Sequence, residues 1–287
     1  MASNIAGARG VLERGVLAVV RGAQKRFYPY LTRRVDDDVV FLNYGYEEDP
    51  PMGVVLDAGD EIERYPIQLY HATAAQVDGF AGKRVLEVGC GHGGGASYLA
   101  RTMAPASYVG LDVNAAGVEF CRRRHQVPGL EFVHGDAEDL PFPAESFDVV
   151  INVESAHCYE HFDRFLAEVA RVLRPGGAFL YTDVHHTIWA AEGKAALESV
   201  PGLAVESWRR IDSEVLRGMT LNTERMQASM ANAAPRFMRR WVRDGLPAYG
   251  TAIYRNIQSG RDQYWMYRLA KATAEPERCD HPDDDHR

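Results

Sequence analysis

Residues 85–95 read Val85-Leu86-Glu87-Val88-Gly89-Cys90-Gly91-His92-Gly93-Gly94-Gly95. The apolar start suits a buried strand, and the glycines suit a tight turn that opens a helix. Glycine has no Cβ, so the backbone can turn sharply and a ligand can lie against bare peptide N–H groups. Gly89, Gly91 and Gly94 also satisfy G-x-G-x-x-G, the spacing of a dinucleotide-phosphate turn. The loop alone does not choose between a dinucleotide and another ligand of the same turn.

Outward from this loop the pattern repeats. Strands are expected at Arg84–Val88, Tyr108–Asp112, Leu130–His134, Phe147–Val153 and Ala178–Asp183. Helices are expected at 63–78, 94–103, Ala115–Arg124 and 160–173, the last with Phe162, Phe165, Leu166, Val169 and Leu173 on one face. Strands alternating with amphipathic helices predict an α/β fold with a doubly wound, seven-stranded, mostly parallel sheet. Beyond Asp183 the alternation stops. Residues 186–244 read as mainly helical, carrying Trp189, Trp208, Met219, Met226, Met230, Phe237, Met238 and Trp241. Residues 248–257 and 262–270 read as two strands around Ser259-Gly260, a hairpin that completes the sheet. The expected organisation is an N-terminal helical lid (1–79), a cofactor-binding core (80–185), a helical substrate cap (186–246), a C-terminal β-hairpin (247–274) and a disordered tail (275–287).

Four features bear on the ligand. Glu87 lies two residues before the first glycine, where a carboxylate suits the cationic methionyl end of S-adenosylmethionine and would repel a pyrophosphate. Asp112 ends the next strand and is placed to accept ribose hydroxyls, which fits either cofactor. Asp136, in His134-Gly135-Asp136-Ala137, is placed to accept the adenine amino group. Leu173-Arg174-Pro175-Gly176-Gly177 closes a helix and opens the fifth strand, a turn without counterpart in dinucleotide folds.

With these motifs in order, the chain resembles the class I S-adenosylmethionine-dependent methyltransferases over about residues 40–185. Within them it resembles the phthiotriolone and phenolphthiotriolone dimycocerosates methyltransferase group, sharing the runs from Asn43 to Pro51 and Gly91 to Leu99, and His157-Cys158-Tyr159. The resemblance implies S-adenosylmethionine as cofactor and O-methylation of a polyketide-, lipid- or glycoside-type hydroxyl. It also implies a cofactor shell of Tyr46, Tyr70, Glu87, Gly89, Gly91, Gly93, Asp112, Val113, Asp136, Ala137 and Asn152, with Tyr46 and Tyr70 as plain core aromatics in the alternative.

Methylating an alcohol requires a base. His157 follows the fourth strand and Asp183 ends the fifth, and in doubly wound sheets those ends line the ligand crevice. If the strands are neighbours, Asp183 holds the imidazole in the role an acid plays beside a catalytic histidine. The pair resembles the His and Asp of small-molecule sugar O-methyltransferases. The alternative has His157 touching cofactor only and Asp183 capping a helix. Tyr159, His185, His186 and Trp189 are expected at the acceptor. His157 and His161 share metal-ligand spacing, but no third ligand stands at a known interval, so no metal is expected.

A sterol-type C-methyltransferase is the alternative enzyme, with Glu154 as its acidic residue; a regulatory protein without turnover and a dinucleotide oxidoreductase rank behind it. The net charge of −8 and the absence of an Asn-Pro-Pro-aromatic motif argue against nucleic acid. Four scattered cysteines suit a reducing, cytoplasmic setting. Residues 1–34 set Arg9, Arg14, Arg21, Lys25, Arg26, Arg33 and Arg34 against Glu13 on an amphipathic helix. It is read as docked over a pocket, with peripheral membrane contact as the alternative. The sequence leaves the oligomeric state open.

Overall fold

The computed structural model describes residues 39–227 and 248–273. Its centre is β1 (Arg84–Val88), flanked by β2 (Ser107–Asp112) and β4 (Phe147–Val153). Outside these lie β3 (Leu130–His134) and β5 (Leu173–His186), and all four pairings are parallel. The intervening helices are α1 (Arg64–Ala74), α2 (Gly94–Thr102), α3 (Ala115–Arg124) and α4 (Phe162–Val172).

Strand periodicity divides the core. Val149 and Ile151 of β4 pack with Tyr70, Leu99 and Tyr108 on one face of the sheet. Val150 packs with Leu86, Phe165 and Phe179 on the other. Phe165, Leu166, Val169 and Val172 form the buried stripe of α4. Truncating Phe165 to Ala is expected to cost about 3–5 kcal/mol.

After β5 come α5 (Thr187–Glu198), β6 (Leu203–Arg210), α6 (Asp212–Leu221), α7 (Ala252–Gln258) and β7 (Asp262–Lys271). The seven strands run in the order β3-β2-β1-β4-β5-β7-β6, with β7 antiparallel to both neighbours.

Two expectations are corrected here. The 186–244 region contains a strand, β6, where helix was expected. Its residues from Glu206 to Arg210 are exposed, so an edge strand reads as polar helix by periodicity. The 248–257 segment is not half of a hairpin but carries α7. Thr251 Oγ1 accepts the Tyr254 N–H at 3.3 Å as an N-cap. Tyr254 and Ile257 are buried three residues apart, and Gly260 follows at φ +72°. The expected last strand is present as β7, but its partners are β5 and β6.

Boundaries shift elsewhere. The 63–78 helix is a 3-10 turn at Glu61–Glu63 followed by α1. The fifth strand runs three residues beyond Asp183, because β7 pairs with it as far as His186 opposite Asp262. The expected 1–34 helix, the 275–287 tail, Met230, Phe237, Met238 and Trp241 lie outside the described residues. Among the described residues, no helix is long and apolar enough to cross a membrane.

Candidate active site

The glycine turn is built as its composition demands. Gly89, Gly91 and Gly93 stand at φ +78°, +55° and +75°. The N–H groups of Gly89 and Cys90 donate to Leu111 O at 2.7 and 3.0 Å, fastening the turn to β2. A Cβ on Gly89 would overlap Ser155 Oγ and lie 2.8 Å from the Tyr159 hydroxyl, so the segment after β4 closes directly over the turn.

Asp112 accepts the Gly91 N–H at 2.8 Å through Oδ2 and the Asn114 N–H at 2.8 Å through Oδ1. Burial pushes its carboxyl upward, against the pull of those two N–H bonds. Its neighbour Val113 is 62% exposed, an apolar side chain left open at the end of β2. Asp136 is also exposed, with Oδ1 taking the Glu138 N–H at 2.9 Å, and Ala137 is buried beside it. The turn, the acid at the end of β2 and the open apolar side chain next to it fit an adenosine-bearing cofactor.

Glu87 is fully buried. The hydroxyls of Tyr70 and Tyr108 donate to its two carboxyl oxygens at 2.9 and 2.8 Å. Burial drives this carboxyl up to about 7, although both tyrosine bonds favour its charge. Both oxygens therefore brace the floor of the turn. Tyr70 serves Glu87, and its ring fills the place of a Cβ on Gly95. Tyr46 is buried, and its hydroxyl donates to Glu48 at 2.8 Å and accepts from Arg209 at 2.7 Å, tying the chain before α1 to β6. Asn152 Nδ2 lies 2.9 Å from Val88 O, 2.7 Å from Ser155 Oγ and 3.1 Å from the Tyr159 hydroxyl, pinning the end of β4 to β1. Its Oδ1 is buried without a hydrogen-bond partner.

The register of β4 and β5 sets Val153 beside Thr182. Glu154 then takes a left-handed φ of +49°, and a 3-10 turn at Ala156–Cys158 swings His157 back over β5. There His157 Nδ1 lies 2.7 Å from Asp183 Oδ1, and the His157 N–H donates to Asp183 Oδ2 at 3.0 Å. Asp183 is wholly buried, whereas the His157 side chain is 26% exposed. Burial presses the imidazole below its usual range, but the Asp183 charge and the shared hydrogen bond override it. The result lies well above 6.5. Burial likewise acts to raise Asp183, and the imidazolium overrides it, leaving the carboxyl low. Each group therefore favours the charged form of the other.

Beside it, burial pushes Glu154 up to about 8, against the pull of the Tyr264 hydroxyl and the Tyr44 N–H. The other expected acceptor residues divide. His185 stacks on Trp265 at 4.2 Å and meets the Tyr181 hydroxyl at 2.8 Å, and burial lowers it to about 4. It is a packed neutral histidine. Tyr159 is held by Ser155 and Asn152, with its ring against Phe165 at 4.9 Å. His186 caps α5 by accepting the Ile188 N–H at 3.3 Å, edge-on to Trp189 at 6.4 Å. Among the described residues, no group of three His, Cys, Asp or Glu side chains is placed to hold a metal.

Sequence reasoning missed Tyr108, Ser155, Tyr44 and Tyr264. Tyr108 shows an inward position only once β2 is laid against β1, and Tyr264 only once β7 is paired with β5. Ser155 and Tyr44 belong to irregular segments, where no periodicity reports them.

Residues 86–181 match a family model described as a methyltransferase domain. The chain is 56% identical over 256 residues to a fatty-acid O-methyltransferase of Mycolicibacterium smegmatis, covering 89% of this chain and 92% of that protein. It is 50% identical over 258 residues to the phthiotriol/phenolphthiotriol dimycocerosates methyltransferase of Mycobacterium tuberculosis, covering 90% and 95%. In fold it is similar to a geranyl diphosphate methyltransferase solved in complex with SAM, with TM-score 0.60, 16% identity, and 82% and 100% coverage.

Proposed function

The chain belongs to the class I S-adenosylmethionine-dependent methyltransferases, and we propose that it methylates an oxygen of a lipid-like acceptor, with His157 as general base and Asp183 as its partner. The 2.7 Å contact between His157 Nδ1 and buried Asp183 carries this reading. The pair sits next to the cofactor turn, since Ser155 and Tyr159, on either side of His157, both press on Gly89.

S-adenosylmethionine, when bound, supplies a methyl group on a positively charged sulfur, so the protein's task is to place the acceptor, exclude water and manage one proton. Gly89, Gly91, Gly93, Asp112, Val113, Asp136 and Ala137 would hold it, above the Glu87 brace. Asp183 can only accept, so Nδ1 carries the proton and Nε2 is the basic atom when the ring is neutral. As the acceptor oxygen attacks, its proton passes to Nε2, and Asp183 stabilises the imidazolium formed. Such a base contributes on the order of 10²–10⁴-fold. His186 and Trp189, at the start of α5, are proposed for the acceptor side.

One observation favours a second reading. The imidazole is held toward its charged form, which suits a carboxylate acceptor, and the Mycolicibacterium relative is named for fatty acids. A carboxylate needs no base, and the imidazolium would orient it. The sterol-type alternative predicts a new carbon–carbon bond.

The test is labelled-methyl transfer to long-chain alcohols and long-chain acids by wild type and His157→Ala, with S-adenosylhomocysteine binding followed by calorimetry. An ether or ester product and a large loss of alcohol turnover at unchanged binding are expected. His157→Ala with full turnover on alcohols would overturn the base assignment, and a carbon-methylated product the oxygen assignment.

A further inference from the structure

Residues 39–47 form a strap without regular secondary structure that crosses the glycine turn. Val39 O meets His92 Nδ1 at 2.7 Å, and Val40 O accepts the Gly94 N–H at 3.1 Å, at the start of α2. Leu42 Cδ1 lies 3.3 Å from where a Cβ on Gly91 would stand. Further along, Asn43 Nδ2 donates to Pro66 O at 3.0 Å, and the Tyr46 N–H donates to Tyr65 O at 3.0 Å. One anchor reaches the dyad side. The Tyr44 N–H donates to Glu154 Oε1 at 2.8 Å, across 110 residues of chain.

Glu154 is built for that contact. Its φ of +49° is a conformation that residues bearing a Cβ rarely adopt and hold only where their surroundings impose it. Its own N–H donates to Thr182 O at 2.8 Å, fixing it to β5. Tyr264 of β7 backs it, with its ring 5.9 Å from that of Tyr44.

We propose that Glu154 is a positioning residue whose carboxyl latches the 39–47 strap across the glycine turn and so holds the cofactor site closed beside His157. The proposal rests on the cofactor lying at that turn, as argued above.

The latch has a direction with pH. Facing the carboxyl are Tyr44 of the strap, Tyr264 of β7, Asp183 of β5 and His157 of the 3-10 turn. Burial, with a smaller push from Asp183, outweighs the tyrosine groups and His157, and lifts the closed-state carboxyl to about 8. Opening the strap admits water to the carboxyl and moves it downward from that raised value, in the direction of its ordinary 4.5. The preference for closure is therefore present while the carboxyl is protonated and is lost as pH rises through about 8.

The experiment is hydrogen exchange of a peptide spanning residues 39–47 in the full-length chain without cofactor, corrected for intrinsic rates, from pH 6 to 8. Wild-type protection is expected to fall by up to about tenfold per pH unit. Glu154→Gln keeps an oxygen for the Tyr44 N–H but cannot ionise. Its protection is expected to stay flat, so that wild type falls progressively further below it from pH 6 to pH 8. Glu154→Ala is expected to lose protection throughout and to bind S-adenosylhomocysteine about tenfold more weakly. Strap protection in folded Glu154→Ala equal to wild type overturns the proposal. So does a wild-type pH slope in Glu154→Gln, which decides the matter if the alanine variant fails to fold. Wild-type chain that ignores S-adenosylhomocysteine overturns the cofactor reading instead, and the exchange data then report on the strap alone.

Discussion

Asp183 grips His157 twice, through Oδ1 at 2.7 Å from the ring Nδ1 and through Oδ2 at 3.0 Å from the His157 backbone N–H. The first contact sets the tautomer. The second fixes the 3-10 turn on which the ring stands, so ring and backbone answer to one carboxylate. That carboxylate is buried on the strand next to β4, and a shift of β4 against β5 would separate the pair.

Asp183→Asn tests this arrangement at nearly constant volume. An amide can turn its NH2 toward Nδ1 and impose the other tautomer, leaving Nε2 protonated. Turnover on an alcohol acceptor is expected to fall by about 10²–10⁴, with S-adenosylhomocysteine affinity unchanged within about twofold. His157→Ala is expected to lose a similar amount, and the double variant little more than either, because the two act as one unit. Single-turnover methyl transfer alongside calorimetry separates chemistry from binding.

The pH profile distinguishes the two acceptor classes. Asp183 holds the imidazole well above 6.5, so the basic form gains population as pH rises through that raised value. Methyl transfer to an alcohol should rise with pH over the same interval, and transfer to a carboxylate should decline. The fold shows the linked effect. The stability that His157 contributes is complete below 6.5 and is lost as pH rises through its folded value. That of Asp183 is present above 3.8 and is lost as pH falls through its lowered folded value. The advantage of wild type over His157→Gln in thermal denaturation is expected to peak between those two pH values. A gap that does not vary with pH would contradict the mutual stabilisation of the two charges.

Gly89→Ala separates two costs of a side chain in the turn. At φ +78° any Cβ is strained, by about 1–2 kcal/mol. Here the Cβ also overlaps Ser155 Oγ and crowds the Tyr159 hydroxyl. Gly53 is the control: its φ is +64°, but nothing lies within 4 Å of its Cβ position. Gly53→Ala is expected to lower stability by only about the strain cost and leave cofactor binding intact. Gly89→Ala should abolish measurable S-adenosylhomocysteine binding. Melting curves and calorimetry on the two variants side by side provide the comparison.

The contrast between legible and hidden features has physical reasons. The first four strands and their helices were readable because burial on both faces leaves apolar runs punctuated by glycine, as in Val85 to Gly95. The meeting of His157 and Asp183 was readable because both lie at the C-terminal ends of strands that this topology makes neighbours. Edge strand β6 was hidden, since residues from Glu206 to Arg210 face solvent and carry no hydrophobic period. In 248–257, Thr251, Ile253 and Tyr254 favour strand by propensity, but the Thr251 cap and the Tyr254–Ile257 spacing determine α7. The position of Glu87 was legible, but its bonds to Tyr70 and Tyr108 were not. Its tyrosines come from α1 and β2, and only the packed structure brings them to it.

Glu87→Gln converts that last point into a measurement. The wild-type carboxyl is pushed by burial to about 7, from an ordinary value of 4.5. An acid whose folded value is raised contributes stability that is fully present below the ordinary value and is lost as pH rises through the folded one. The loss sums to about 3 kcal/mol between pH 4.5 and 7 and adds nothing above that. Glutamine has nearly the same shape and no charge to lose. Its oxygen accepts from one of the Tyr70 and Tyr108 hydroxyls, and its NH2 donates to the other, so the buried groups remain paired. The variant should match or trail wild type near pH 5 and gain on it steadily toward pH 7. Urea denaturation at half-unit steps from pH 5 to 8 gives the difference curve. If the curve stays flat, Glu87 remains charged beneath the turn throughout, and its two tyrosine hydroxyls outweigh its burial.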